Sequence, residues 1–300
     1  MTATPSGSIL HRRAALIARH TLPAALTALA EAAAHLQSRG WTPVVEARSA
    51  SQADLGTRWP TVSREELGRD TDVVIAFGGD GTLLDAASAV AHSPHDAPLL
   101  GVNLGRLGFL TEIGRSEMAA ALDCVVDGRT TTEVRLLLEG KLWRNRVIVA
   151  THLALNDIVV TRGALARMIE IDVDVDGEFV SHVKADGLIV ATATGSTAYN
   201  LSAGGPILHP SADAIVLTPL APHALTNRPV VLPATAQVQL RPVVETDADP
   251  VVTFDGQYGV PLEPGDVITI ARAARVLRLM RTSTRTHFDM LREKLKWGNG

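Results

Sequence analysis

The run Gly78-Gly79-Asp80-Gly81-Thr82 sets a carboxylate among three glycines. Glycine frees the backbone to take positive φ and lets a ligand come close to the chain. An apolar stretch, Val73 to Phe77, stands directly before the run, and apolar residues at helical spacing, Leu83 to Ala91, follow it. A strand that turns into a helix in this way offers N–H groups and a positive dipole end, which suit phosphate. A carboxylate there repels phosphate unless it has another task. Two tasks fit Asp80: accepting a proton from an attacking hydroxyl, or holding Mg²⁺. Gly78, Gly79, Gly81 and Thr82 then make up the phosphate loop. The plainer alternative is a tight turn in which Asp80 or Thr82 caps the helix.

A second cluster runs from Thr194 through Gly195, Ser196, Thr197, Ala198, Tyr199, Asn200, Leu201 and Ser202 to Pro206. Its hydroxyls and small residues can read an adenine edge, and Tyr199 can lie against a ring. Asn156-Asp157 joins an amide to a carboxylate between two apolar runs. Such a pair can bind sugar hydroxyls or an adenine edge, or simply make a turn. Lys184 and Asp186 precede the apolar run from Gly187 to Ala191. Lys184 can meet a phosphate and Asp186 a nucleotide amine or amide, and a solvated ion pair is the alternative. Asp255-Gly256-Gln257 reads first as a hairpin turn. Asn103 and Arg106 follow another apolar run, Pro98 to Asn103, where both can face phosphate.

These residues need elements to hold them. Arg13 to Ala18, Thr42 to Ala47, Val73 to Phe77 and Pro98 to Asn103 read as strands, with helices over Leu22 to Leu36, Leu83 to Ala91 and Ser116 to Val126. Gly40 is placed to stop the first helix, and Arg48 to Asp70 reads as loop with a short helix. This alternation implies a parallel sheet flanked by helices, a Rossmann-like α/β domain over residues 1–130. From about Thr131 strands dominate. Ile169, Ile171, Val173 and Val175 alternate with acidic residues up to the turn Asp176-Gly177. Further strands are expected over Arg146 to Ala150, Gly187 to Ala191, Ala214 to Thr218, Val238 to Leu240, Val251 to Phe254 and Val267 to Ala271. Together they predict an all-β sandwich domain over 131–282. A helix from Thr286 to Trp297 is expected to return residues 283–300 to the first domain.

Composition narrows the function. The 300 residues carry a formal net charge of −4, which speaks against general nucleic-acid binding. The single cysteine, Cys124, excludes an intrachain disulfide and fits a cytoplasmic location. No apolar run approaches the ~18 residues of a membrane span, so no membrane partner is expected. The ten histidines show no metal-ligand spacing, and no protein metal site is expected.

Gly78 to Thr82 resembles a signature shared by NAD kinases, by diacylglycerol and sphingosine kinases and, more loosely, by 6-phosphofructokinases. Thr194 to Tyr199 separates them, because it resembles the NAD kinase segment Thr-Pro-Thr-Gly-Ser-Thr-Ala-Tyr, with Ala193 in place of the proline. Asn103 to Leu110, Asn156-Asp157 (Asn-Glu in most relatives), Lys184-Ala185-Asp186-Gly187 and Asp255-Gly256-Gln257 follow in the family's order. The resemblance implies an NAD kinase that transfers the ATP γ-phosphoryl group to the 2′-hydroxyl of the adenosine ribose of NAD. It implies Asp80 as the catalytic group. It implies NAD contacts from Asp80, Gly81, Asn156, Asp157, Arg167, Lys184, Asp186, Thr194, Thr197, Ala198, Tyr199, Asn200, Leu201, Ser202 and Gln257. Mg²⁺ would arrive on ATP, polyphosphate is an alternative donor, and a homodimer or homotetramer is expected.

Overall fold

The computed structural model describes residues 12–56, 58–163, 168–244, 249–282 and 285–297. The chain divides into two compact units. The first comprises Met1–Glu133, Arg278–Thr286 and Glu293–Gly300, and the second Val134–Leu277 and His287–Arg292.

In the first unit the order is β1 (Arg13–Ala18), α1 (Pro23–Ser38), β2 (Thr42–Glu46), α2 (Ala47–Gln52), β3 (Thr61–Val62), β4 (Val73–Gly78), α3 (Asp80–His92), β5 (Leu99–Asn103), β6 (Ile113–Gly114) and α4 (Met118–Val126). The parallel sheet has the order β5-β4-β1-β2-β3. Its strands are short and apolar because helices and loops cover both faces. Leu16, Ile75, Phe77 and Val102 pack with Leu29 and Leu36 of α1 and Leu122 of α4. Strand order runs outward from β1 in both directions, so β1 and β4 flank a switch point, the place where open α/β sheets bind ligands. Asp80 follows β4 at that carboxyl edge.

The chain continues with β7 (Thr131–Arg144), β8 (Val147–Ala154), β9 (Asp157–Thr161), β10 (Ile169–Val175), β11 (Glu178–Ala185), β12 (Gly187–Thr192), α5 (Tyr199–Ser202), β13 (Ala214–Leu220), β14 (Val230–Pro233), β15 (Val238–Val243), β16 (Val251–Phe254), β17 (Tyr258–Pro261), β18 (Val267–Arg281) and α6 (His287–Leu295), of which β7, β18 and α6 each have one end in the first unit and the rest lie in the second. One antiparallel set is β11-β10-β15-β18, with β7 beside β18 and β8 beside β7. The other is a six-stranded sheet, β14-β13-β12-β9-β16-β17. Ile171, Val173, Leu240 and Ile268 of the first pack against Ile158, Val160, Leu188, Val190 and Phe254 of the second. The alternation read from Ile169 to Val175 is therefore the inward face of a sandwich.

Four local readings change. Helix α3 begins at Asp80, so the glycine run is partly its first turn. Ala47 opens α2, because the Glu46 side chain accepts from the N–H groups of Arg48 and Ser49 and caps the helix. Arg146 lies in a turn: Asn145 and Arg146 have φ 51° and 66°, the geometry of a two-residue hairpin with both central residues left-handed. Strand β18 is 15 residues long, beyond the predicted Val267 to Ala271. Its later residues alternate less cleanly, and Arg272, Arg275 and Arg278 mask the period.

Candidate functional site

Gly78 is the glycine of the first loop that packing demands, since a Cβ there would collide with the Thr82 side chain. Around Gly79 and Gly81 the corresponding space is open. None of the three has the positive φ that the sequence reading allowed for. They serve instead as bare backbone at the N-terminus of a 13-residue helix. Gly79 is the N-cap and no side chain caps the helix, so neither Asp80 nor Thr82 does so.

Asp80 is turned onto the loop after β5. Its Oδ2 accepts from the Phe109 N–H at 2.8 Å. Its Oδ1 accepts from the N–H groups of Leu110 (3.1 Å) and Thr111 (3.0 Å) and from the Thr111 hydroxyl (2.8 Å). Gly108 passes so close to this carboxylate that a Cβ would overlap Asp80 Oδ1. Asn103 organises the same loop. Its Nδ2 donates to the Arg106 carbonyl at 2.9 Å and to Thr111 Oγ1 at 2.8 Å, and its Oδ1 accepts from the Gly105 N–H at 2.7 Å. Asn103, expected to face phosphate, spends its amide on the loop, and Arg106 stands at the loop's exposed tip.

In the second unit Asn156 and Asp157 join β8 to β9 and are only 8% and 5% exposed. Neither side chain has a hydrogen-bond partner among the described residues. Asp157 is pushed up to about 7, chiefly by burial and then by the neighbouring Asp255 carboxylate. The Thr192–Thr197 segment lies against the same turn. Thr192 donates its hydroxyl to the Leu155 carbonyl at 2.6 Å and its N–H to the Asn156 carbonyl at 2.9 Å. A Cβ on Gly195 would run into the backbone of Asn156.

The rest of that segment divides between inside and outside. Asn200 is fully buried, donating to the Ser196 and Pro206 carbonyls and accepting from the Thr218 hydroxyl. Its side chain is committed to holding the loop. Ser196 is also fully buried and bridges the Ala193 carbonyl and Leu208. Thr194 is buried, Thr197, Ala198 and Leu201 are half-buried, and Tyr199 and Ser202 are exposed. Gln257 stands exposed in the turn between β16 and β17.

Lys184 and Asp186 fall elsewhere. Lys184 Nζ donates to Glu170 at 2.6 Å, and Asp186 accepts from Arg162 Nε at 2.7 Å. Asp157 pairs with Ala191, whereas Gly187 pairs with Thr161 at the opposite end of the ladder. That end lies roughly 13 Å away at ~3.3 Å per residue. Arg167 lies outside the described residues. Sequence reasoning missed Asp255 as an organiser of the Asn156-Asp157 turn, because its Asp-Gly dipeptide already had a sufficient explanation as a hairpin. Its positive φ of 52°, with Gly256 at 62°, agrees with that turn but leaves its side chain free for other work.

Comparison with known proteins gives this geometry a family. The family model described as ATP-NAD kinase N-terminal domain matches residues 17–130, and that of the ATP-NAD kinase C-terminal domain matches residues 155–282. An NAD kinase of Azoarcus sp. is 43% identical over 286 residues, covering 95% of this chain and 96% of the relative. One from Aromatoleum aromaticum is 42% identical, covering 99% and 98%. Among solved structures, yeast NADH kinase complexed with NADH superposes with a TM-score of 0.84 at 27% identity, covering 96% of this chain and 89% of the other. An Archaeoglobus fulgidus NAD kinase in complex with ATP gives 0.71 at 27% identity, covering 95% and 98%. With both halves matched by the family's two domains, and relatives of more than 40% identity along nearly its whole length, the chain belongs to the ATP-NAD kinase family and is a phosphotransferase acting on NAD.

Proposed function

We propose that the enzyme transfers the γ-phosphoryl group of ATP to the 2′-hydroxyl of the adenosine ribose of NAD, with Asp80 as the catalytic residue. The observation that carries the residue assignment is the pair Asn156 and Asp157: mostly buried, polar and, among the described residues, with no hydrogen-bond partner for either side chain. Neither side chain is among the fully enclosed unpaired groups, so their polar atoms can be reached from outside. A pair left open beside a glycine- and hydroxyl-rich loop is reserved for a ligand rich in hydroxyl and amine groups. The adenosine of NAD has that chemistry. Thr194, Thr197, Ala198, Tyr199, Leu201 and Ser202 would line its path, with Gln257, Lys184, Asp186 and Arg167 as further contacts.

The open backbone at Gly79 and Gly81 suits phosphate at the N-terminus of α3. Asp80 would receive the hydrogen of the attacking hydroxyl. A carboxylate offers about four acceptor positions, and the loop donors match that number. But three of those donors crowd Oδ1 and only the Phe109 N–H meets Oδ2, so Oδ2 keeps an acceptor position for the substrate hydroxyl. In phosphoryl transfer most of the catalysis lies in alignment and charge neutralisation. A carboxylate held this firmly suits alignment as well as proton acceptance.

Among the described residues no group of three or more His, Cys, Asp or Glu side chains gathers to hold a metal. Mg²⁺ would ride on the ATP phosphates. No described helix is long and apolar enough to cross a membrane. A cytoplasmic homodimer or homotetramer completes the proposal. The test is incubation of purified protein with NAD, MgATP or polyphosphate, and detection of the product by an NADP-specific dehydrogenase. NADP formation from ATP is expected. Phosphorylation at any other hydroxyl, or none, rejects the assignment.

A further inference from the structure

The Asn156-Asp157 turn is gripped from two sides. On its N–H side, three consecutive backbone donors converge on one carboxylate: Leu155 on Asp255 Oδ2 at 2.8 Å, and Asn156 and Asp157 on Asp255 Oδ1 at 2.7 and 3.0 Å. The Asp255 N–H returns a bond to the Asp157 carbonyl at 2.9 Å. On its carbonyl side, Thr192 binds Leu155 and Asn156, and Gly195 closes against Asn156. Successive N–H groups aimed at one point form an anion-binding nest. Here the anion is supplied by the protein. The backbone is fully engaged, while the two side chains that leave it are not.

An ordinary Asp-Gly hairpin does not need its carboxylate to reach another connection. A buried carboxylate close to a second one also carries a cost, since like charges disfavour each other's ionised form. Burial pushes Asp255 upward, with the three N–H bonds opposing that shift. Asp255 is the charged group acting on Asp157. The elements packed around Asp157 bring Ala191 and Thr192 from β12, Gly195 from the loop, and Phe254 with Asp255 from β16 and its turn. Of these only Asp255 is ionisable.

We infer that Asp255 is a positioning residue for nucleotide recognition: its carboxylate fixes the backbone of Leu155–Asp157 so that Asn156 and Asp157 are presented together to the NAD ribose. This rests on reading Asn156 and Asp157 as nucleotide contacts. Asp255 touches no substrate; it acts through the turn and through its charge on Asp157.

The experiment is calorimetric titration of NAD without ATP, from pH 5.5 to 8.5, on the full chain and on Asp255→Asn, Asp255→Glu and Asp157→Asn. Omitting ATP removes the titration of its phosphates. In the wild type, affinity for NAD should rise as Asp157 ionises near pH 7. Asp255→Asn keeps the shape, loses the charge and turns an amide toward N–H donors. It should weaken NAD about tenfold at pH 8, as expected for a lost charge-assisted bond, while kcat at saturating NAD stays within about threefold. Its pH limb should move to lower pH, because Asp157 then ionises more readily. Asp255→Glu, which keeps the charge but displaces it, should weaken NAD with the limb nearly in place, and this variant decides the matter if Asp255→Asn does not fold. A limb that stays put in Asp255→Asn, with affinity, kcat and melting temperature falling together, overturns the inference in favour of a purely structural role. Unchanged affinity in both variants overturns it as well. Asp157→Asn separates the two levels: if it leaves affinity and pH limb untouched, the nucleotide reading of Asp157 fails, whatever Asp255 does.

Discussion

Asp80 accepts four hydrogen bonds from the loop after β5, whereas Asp157 accepts none from the described residues, although it is the more buried of the two. One carboxylate is fixed by its loop before any substrate arrives and the other is left waiting. A carboxylate so anchored stays where its donors hold it, which suits a group that must align a reacting oxygen. An unsatisfied one gains its missing bond only when ligand arrives, which suits recognition. The surroundings of each follow from nearby sequence. Asp80 faces Gly108, which leaves room for the carboxylate to reach three successive N–H groups. Asp157 faces Asp255, which has already taken the local N–H groups for itself.

The sharpest way to break this contrast is at Asp80. Asp80→Asn should lower turnover at least ~100-fold, the low end of what a positioned base contributes, while NAD still binds. Stopped-time NADP assays and calorimetry read the two quantities separately. Near-normal turnover would remove Asp80 from the chemistry and leave it as a loop anchor.

Gly195→Ala attacks the other side. The new Cβ would press on the Asn156 backbone, so the turn must shift. NAD affinity should fall about tenfold, the equivalent of ~1.4 kcal/mol, with turnover at saturating NAD largely kept. The two variants thus fail in opposite parameters if the regions have the roles assigned. A Gly195→Ala enzyme that loses kcat and keeps its affinity for NAD would reverse them.

How far the sequence alone reached depends on which kind of interaction mattered. Strand β4, helix α3 and the alternation in β10 were legible because burial imposes its period on the chain. The hydroxyl-rich segment was legible as a cluster, but which of its members face inward was not. Asn200 and Tyr199 are neighbours in sequence, one fully buried and one exposed, because the short helix α5 turns them apart. The partners of Asp80, 29 to 31 residues away, and of Asp255, about 100 residues away, leave no periodic trace. Gly108 and Gly195 stand in segments that the sequence singles out, but the close approach each allows, to the Asp80 carboxylate and to the Asn156 carbonyl, leaves no mark in the sequence.

A gentler probe of the Asp80 side is Thr111→Val. It deletes the rotatable donor to Oδ1 and the acceptor for Asn103 Nδ2 while keeping the three backbone donors. Unfolding in urea should show a loss of about 1 kcal/mol, typical of a buried hydrogen bond. Turnover should change less than about threefold, since Oδ2, which has room for the substrate hydroxyl, keeps its Phe109 donor. A loss as large as that of Asp80→Asn would mean that Thr111 is needed in place during the reaction.

The last effect is one of stability, and its sign is opposite to intuition for a site mutation. Asp157 sits near pH 7 in the folded protein against ~3.9 in an unfolded chain. The folded state therefore holds a proton that the unfolded chain releases. The resulting stabilisation is complete below about pH 4 and is lost as pH rises through 7. Asparagine resembles the protonated acid and does not titrate, so Asp157→Asn should be more stable than wild type at pH 8. The margin, on the order of 4 kcal/mol for a carboxyl raised from ~3.9 to about 7, should shrink steadily toward pH 5. Asp255 titrates in both proteins and is coupled to Asp157, so the difference between them reads the pair. Thermal melts at pH 5 and pH 8 read it directly. A wild type that is equally stable to the variant at pH 8 would mean that the Asp157 carboxylate is already solvated or paired, and the contrast with Asp80 would dissolve. A variant that gains stability while losing NAD affinity would instead locate in this one buried acid the trade between a comfortable fold and a site held open for its ligand.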